Sequence, residues 1–350
     1  MSIESKAWGV ENATSALAPM TVTRRDLRDD DVAIAIAYCG VCHSDAHTAH
    51  NDWGGTRYPC VPGHEIVGRV TALGSAVSDF KVGDWVAVGC MVDSCTSCVA
   101  CDAGEEQHCV KGATYTYDGK DRVTGEITKG GYTDHIVVRD RFVLRVPDGL
   151  DKRRAAPILC AGITLWSPLQ RFDAGPGKRV AIAGLGGLGH MGVKLAAALG
   201  AHVTVITTSP SKAAEASKLG ANEVLLSTDA AAMKAAASSF DLLIDTIPKA
   251  HDVSPYLQLL GRNGALVVVG AIEPLPSLHS GLLLRNNRSL TGSAIGGIAA
   301  TQELLDFCAE KGVLPDCEFV PMAEINGAWA RMMAGDVKYR FVVEMDGAAG

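Results

Sequence analysis

The chain has 350 residues, 47% hydrophobic and 20% charged, with a formal net charge of -7, a composition that suits a soluble protein with more than one core. No apolar run reaches the roughly 18 residues of a membrane span, and no Lys/Arg-rich block offers the concentrated positive charge of a nucleic-acid footprint, so neither a membrane nor a nucleic acid is an expected partner. Eleven cysteines, an odd number placed unevenly along the chain, favour metal binding over a disulfide framework.

The N-terminal stretch "MSIESKAWGVENAT" carries charges where a secretory signal needs a continuous apolar run, so a cytoplasmic location is expected. Next comes "YCGVCHSDAH", residues 38–47, with Cys39 and Cys42 two residues apart. That spacing alone leaves a redox dithiol, half of a zinc knuckle and plain coincidence open. From residue 61 to 146 short apolar segments separated by glycines ("EIVGRVTALG", "VGDWVAVG", "GGYTDHIVV", "RFVLRVP") predict an all-β domain, a small barrel or sandwich.

Inside that region "CTSCVACDAGEEQHC" brings Cys95, Cys98, Cys101 and Cys109 into one short loop. Four thiolates close a tetrahedral structural zinc site with no open position, and an iron-sulfur cluster is the competing use. The adjacent His108 reads as a surface histidine.

Past residue 151 the texture changes. "RVAIAGL", "HVTVITT", "NEVLLS", "FDLLIDTI", "ALVVVGA" and "SLTGSAI" alternate with Ala-rich helical stretches, which predicts a doubly wound parallel sheet, an α/β fold. The first strand runs into G-x-G-x-x-G at Gly184, Gly186 and Gly189, with Gly187 and Leu188 between, and then into a helix. This is the strand-turn-helix context of a dinucleotide pyrophosphate site. The second strand ends in "VITTSPSK", where an NAD site would place Asp or Glu. Thr207, Thr208 and Ser209 with Lys212 suit a 2′-phosphate, so NADP(H) is favoured over NAD(H). A helical tail closes on "KYRFVVEM", and no internal repeat is seen.

Six cysteines and Cys160 remain outside the loop, and "PGHEIVG" sets His64 beside Glu65. A catalytic zinc takes three protein ligands and keeps one open position, but spacing does not select the three. Here the sequence resembles a known family over essentially its whole length. "YCGVCHSDAH", "YPCVPGHEIVGRV", the four-cysteine loop, "LCAGITLWSPL", "GLGGLGHMGVKLA", "GSAIGG" and "DVKYRFVV" resemble the zinc-dependent medium-chain alcohol dehydrogenases, in particular the cinnamyl alcohol dehydrogenase branch and its bacterial broad-range aldehyde reductases.

The resemblance implies a GroES-like β-rich catalytic domain (1–157 and 296–350) and a Rossmann cofactor domain (158–295), with two zinc ions per chain. It implies Cys42, His64 and Cys160 as catalytic zinc ligands, Glu65 behind the metal and able to approach it, and Asp45 orienting His64. Ser44 and His47 match a proton relay. Thr164, Val269, Gly270, Ala271, Ser293, Ala294 and Ile295 match cofactor-contacting segments. Pro210 and Ser211 depart from relatives that carry an additional lysine, which leaves room for some NAD use. Tyr115 and Ala294 stand where plant members carry tryptophan and phenylalanine, so a broad substrate range is expected. Trp53 and Trp166 line the pocket or pack in the core. Cys39 is expected to be a buried strand-end residue.

The activity implied is reversible hydride transfer between NADP(H) and primary alcohols or aldehydes by a homodimer. A polyol or secondary-alcohol dehydrogenase is the rival within the superfamily, and a non-catalytic NADPH-binding sensor the rival outside enzymes.

Overall fold

The computed structural model describes residues 3–270 and 273–345. Contacts divide the chain into two compact units, residues 1–160 with 296–350 and residues 161–295.

The first unit begins with a hairpin of β1 (Ile3–Gly9) and β2 (Ala18–Arg24). Its main sheet is organised by β3 (Asp31–Val41), antiparallel to β4 (Ile66–Leu73), which pairs in turn with β5 (Trp85–Val88). The small ladder of β6 (Met91–Asp93) and β7 (Thr114–Tyr115) flanks the four-cysteine loop. Then β8 (His135–Arg139) joins β3, and β9 (Leu144–Arg145) joins β5. The strand β3 escaped the sequence reading for a physical reason. β3, "DVAIAIAYCGV", is buried along nearly its whole length, so it lacks the polar alternation that marks a half-exposed strand.

The second unit carries β10 (Arg179–Ala183), β11 (His202–Thr207), β12 (Glu223–Leu226), β13 (Phe240–Asp245), β14 (Leu260–Val268) and β15 (Ser289–Gly292). All neighbouring pairs are parallel, in the order β12-β11-β10-β13-β14-β15. The order reverses between β10 and β13, and ligands of such sheets bind outside the strand C-termini at that reversal. Its core is built from residues such as Ala181, Ile206, Leu243 and Leu266, all 0–1% exposed. The chain then returns to the first unit, where β16 (Cys317–Pro321) and β17 (Arg340–Glu344) extend the main sheet against β3.

Candidate active site

Cys42 follows β3 directly and caps the helix His43–Ala49, so its side chain leaves the sheet where the chain turns. His64 and Glu65 lie immediately before β4, and Cys160 follows the 3-10 turn Ala156–Leu159. One ligand atom from each of Cys42, His64, Glu65 and Cys160 lies within 4.8 Å of the others. The Cys42 and Cys160 sulfurs are 3.9 Å apart. Two thiolates on one tetrahedral zinc, each at about 2.3 Å, would stand roughly 3.8 Å apart, so this pair fits the metal.

Asp45 organises the set. It is fully buried; its Oδ1 accepts from Gly63 N at 3.0 Å and faces His64 Nδ1 at 2.9 Å, while Oδ2 accepts from Cys42 N at 2.9 Å and Tyr132 OH at 3.1 Å. Imidazole Nδ1–H donating to Asp45 leaves the Nε2 lone pair for a metal. Burial pushes the His64 pKa down, but the Asp45 carboxylate outweighs it and raises the value well above that of free imidazole. The hydrogen bond from Cys160 holds the Cys42 thiol well below the ordinary range, and the same contact raises Cys160.

Glu65 is wholly buried, and burial pushes its carboxyl up to about 7 although Arg340 opposes the rise. The Arg340 guanidinium pairs with Glu65 Oε1, and among the described residues Oε2 has no hydrogen-bond partner. Gly40 makes room for this carboxylate, since a Cβ there would stand 1.8 Å from Glu65 Oε2. The glycine of "CGVC" is therefore a space requirement. Cys39, inside β3, is fully buried, and burial raises its thiol well above the ordinary range.

Ser44 Oγ lies 3.7 Å from Cys42 Sγ. His47, on the same helix, places Nδ1 2.7 Å from Asp52 Oδ2 and its ring 5.6 Å from the half-exposed Trp53 ring. Tyr117 tilts its ring against His64 at 5.6 Å. Tyr115 is 51% exposed, whereas Trp166, in the second unit, is 5% exposed and packs in the core. Sequence reasoning missed Arg340, Tyr132, Asp52 and Tyr117. Arg340 sits in the quoted "KYRFVV", but no local spacing connects it to a residue 275 positions away.

The four-cysteine loop also closes. Cys95 and Cys98 sulfurs lie 3.9 Å and 3.6 Å from that of Cys101. Backbone N–H groups of Cys95 and Val110 donate to the sulfurs of Cys109 and Cys98 at 3.4 Å. Such donors, above all Cys101 N–H and Val110 N–H, bring the Cys98 thiol down to about 6, favouring the thiolate a zinc needs. His108 is exposed beside the loop.

In the second unit Gly184 turns at φ +92, and a Cβ on Gly189 would stand 2.1 Å from Gly184 O. A Cβ on Gly186 would meet open space, as a glycine kept for the approach of a ligand should. Gly187 and Leu188 complete the turn before the helix Gly189–Ala198. Thr207 ends β11 with Thr208 and Ser209 after it, and Ser209 Oγ meets Ser211 Oγ at 2.8 Å. Lys212 Nζ reaches back to donate to Leu185 O at 3.0 Å, which brings its charge beside the glycine turn. Among the described residues of this β11 end no carboxylate stands where an NAD site would have one, so the donor set fits a 2′-phosphate. Thr164 is buried in the helix Ala161–Arg171. Val269 and Gly270 follow β14, and Ala271 lies outside the described residues. Ser293 and Ala294 lead to Ile295, a β-branched residue held at φ +37 with its carbonyl accepting from Ser167 Oγ at 2.6 Å. That strained conformation marks a segment held for a purpose other than its own stability.

Comparison with known proteins adds a further finding. Residues 28–148 match the alcohol dehydrogenase GroES-like domain and residues 187–310 match the zinc-binding dehydrogenase family. Aldehyde reductase YahK of Escherichia coli (strain K12) is 49% identical over 341 residues, 97% of each chain. The solved cinnamyl alcohol dehydrogenase SbCAD4 of Sorghum bicolor superposes with a TM-score of 0.95 at 44% identity, covering 99% of this chain and 98% of that one. The CAD structure from Helicobacter pylori, complexed with NADP(H), superposes with a TM-score of 0.92 at 37% identity over 99% of each chain.

Proposed function

The chain belongs to the zinc-dependent medium-chain alcohol dehydrogenases, in their cinnamyl alcohol dehydrogenase branch, and from that membership we propose a division of labour among its residues. The enzyme is an NADP(H)-linked, zinc-dependent alcohol dehydrogenase and aldehyde reductase. Cys42, His64 and Cys160 hold a zinc ion that keeps one position open. Cys95, Cys98, Cys101 and Cys109 hold a second, closed one. Gly184, Gly186, Gly187, Leu188 and Gly189 take the pyrophosphate, Thr207, Thr208, Ser209 and Lys212 the 2′-phosphate, and Thr164, Val269, Gly270, Ala271, Ser293, Ala294 and Ile295 the nicotinamide end.

When bound, the open-site metal supplies a Lewis acid for the substrate oxygen and the cofactor supplies or accepts the hydride. The protein moves the proton. Ser44 Oγ, beside Cys42 Sγ, is placed to exchange it with the substrate oxygen, and His47 to pass it on, its Nδ1 fixed by Asp52. Glu65, kept in the protein by Arg340, puts a carboxylate behind the ligand set without closing it. Asp45 fixes the tautomer and angle of His64.

The observation that carries this reading is the buried Asp45, which ties Cys42 and His64 into one frame while the two sulfurs stand at a tetrahedral edge. A solvated Tyr115 and the small Ala294 favour a broad range of aliphatic, benzylic and cinnamyl aldehydes. The working form is a cytoplasmic homodimer that uses no nucleic acid, and among the described residues no helix is long and apolar enough to cross a membrane. The test is a paired NADPH and NADH assay across those aldehydes, with zinc content measured on the same sample. Oxidation of NADPH by each aldehyde class at two zinc per chain is the expected result. Zinc-loaded protein that leaves NADPH unoxidised with every aldehyde would overturn it.

A further inference from the structure

Asp245, the last residue of β13, is a fully buried carboxylate outside the machinery described above. It sits at the strand C-terminus beside the order reversal, in register with Ala183 on one side and Val268 on the other. Its carbonyl accepts from Val269 N at 3.0 Å and Gly270 N at 3.2 Å. Its Oδ1 accepts from Ile247 N at 3.1 Å, and its Oδ2 contacts His251 Nε2 at 3.0 Å. His251 is fixed in turn by Nδ1 at 2.8 Å from Lys249 O and by an edge contact with the Tyr256 ring at 5.6 Å.

The residue between them and the glycine turn is Thr246. Its N–H donates to Ala183 O at 3.0 Å and its hydroxyl to the same oxygen at 2.8 Å, with Gly184 O at 3.4 Å. A Cβ on Gly270 would fall 2.5 Å from the Thr246 carbonyl, so the two backbones touch. Residues 245–247 therefore hold both the first glycine of the turn and the end of β14. Removing the imidazole takes away the polar group that stands against the buried Oδ2, and the segment must shift or admit water.

We propose that the Asp245–His251 pair is a latch that positions residues 246–250 against Gly184 and Gly270 and thereby sets the affinity for NADP(H). Asp245 and His251 are positioning residues, acting through Thr246. The inference rests on the reading of this turn as the cofactor site.

The test uses the zinc-loaded full chain and NADPH, titrated by quenching of protein fluorescence, with kcat at saturating NADPH and the melting temperature without cofactor measured in parallel. His251→Asn, which withdraws the Nε2 contact with Asp245, raises the NADPH dissociation constant about tenfold and leaves kcat and melting nearly unchanged. His251→Gln, whose amide nitrogen reaches the place of Nε2, recovers most of the affinity. A folded Asn variant that binds NADPH as the wild type does, or a Gln variant no better than a weakened Asn variant, overturns the latch alone. A wild type that binds no NADPH overturns the cofactor reading and the latch with it.

Discussion

The Glu106 carboxylate, buried inside the four-cysteine lobe, accepts a hydrogen bond from the Ile298 backbone N–H at 3.1 Å, across 192 positions of sequence. Ile298 opens the helix Ile298–Lys311, whose N-cap is Gly297, with no side chain of its own to serve the free N–H groups. A Cβ on Gly297 would stand 1.8 Å from Gly104 O, so only glycine lets the helix start against the lobe. A carboxylate at this end also meets the positive end of the helix dipole. Glu106→Ala is expected to cost about 1–2 kcal/mol, read as a melting temperature lower by about 2–4 °C. Glu106→Gln, which keeps the acceptor, should lose less than half of that. An Ala variant that melts as the wild type does would mean that the helix does not depend on the lobe.

Asp45 makes four polar contacts and belongs to none of the ligands, so its replacement separates orientation from ligation. Asp45→Asn can present an amide N–H to His64 Nδ1 and so favours the wrong tautomer, with the proton on the nitrogen that should face the metal. Zinc affinity at this site is expected to fall about 10–100-fold. Competition with a chelator should strip one zinc early from the variant, leaving the four-cysteine zinc in place. Identical chelation curves for variant and wild type would argue against Asp45 as the orienting group.

Gly40→Ala tests the space behind the metal. The added methyl would overlap Glu65 Oε2, and the carboxylate cannot retreat without breaking its pair with Arg340. Removing a partner from a buried ion pair costs about 3–5 kcal/mol. The expected outcome is a chain with strongly reduced melting temperature or, where it folds, turnover lower by about two orders of magnitude. A Gly40→Ala enzyme with wild-type rate would show that Glu65 moves freely.

Much of this is legible in the sequence, and the division follows the range of the interactions. The glycine turn, the end of β11 and the four-cysteine loop are local patterns, each carried on a few consecutive residues, and their geometry follows from short-range sterics and donor spacing. The open zinc set is not local. Cys42, His64 and Cys160 are distributed over 119 positions, and only family resemblance picked them out. Arg340 and Tyr132 meet the site through sheet registers that no spacing encodes, β17 on β3 among them. Nothing local in "GEEQH" separates Glu106 from its charged neighbour, and only the fold turns it inward. Trp166, in a segment near a zinc ligand, could have lined a pocket or a core, and burial places it in the core.

In the proposed cofactor site Lys212 is assigned the charge that distinguishes NADP(H) from NAD(H). Its ammonium donates to Leu185 O, beside the glycine turn. Lys212→Ala is expected to raise the NADPH dissociation constant about 10–100-fold through loss of a charge-assisted bond. NADH, which lacks that phosphate, should change by less than about threefold. Equal losses for both cofactors would mean that the lysine serves the pyrophosphate or the turn itself.

The last test concerns acid stability. Asp121 receives Arg28 Nη2 at 2.8 Å, Arg25 Nε at 3.5 Å and the N–H groups of Val123 and Thr124. Partial burial pushes its carboxyl up, but Arg28 and those N–H groups outweigh it and hold it well below the ordinary carboxylate range. As the folded pKa is depressed, the unfolded chain takes up the proton first as pH falls. The stabilisation is therefore fully present above the unfolded value of about 4 and is lost as pH falls through the lower folded one. Solvent screening limits it to about 1 kcal/mol. Asp121→Asn should thus melt about 1–3 °C below the wild type at neutral pH, with the gap narrowing steadily below about pH 4. A gap that stays constant through the acid range would assign the loss to the geometry of the turn rather than to the charge.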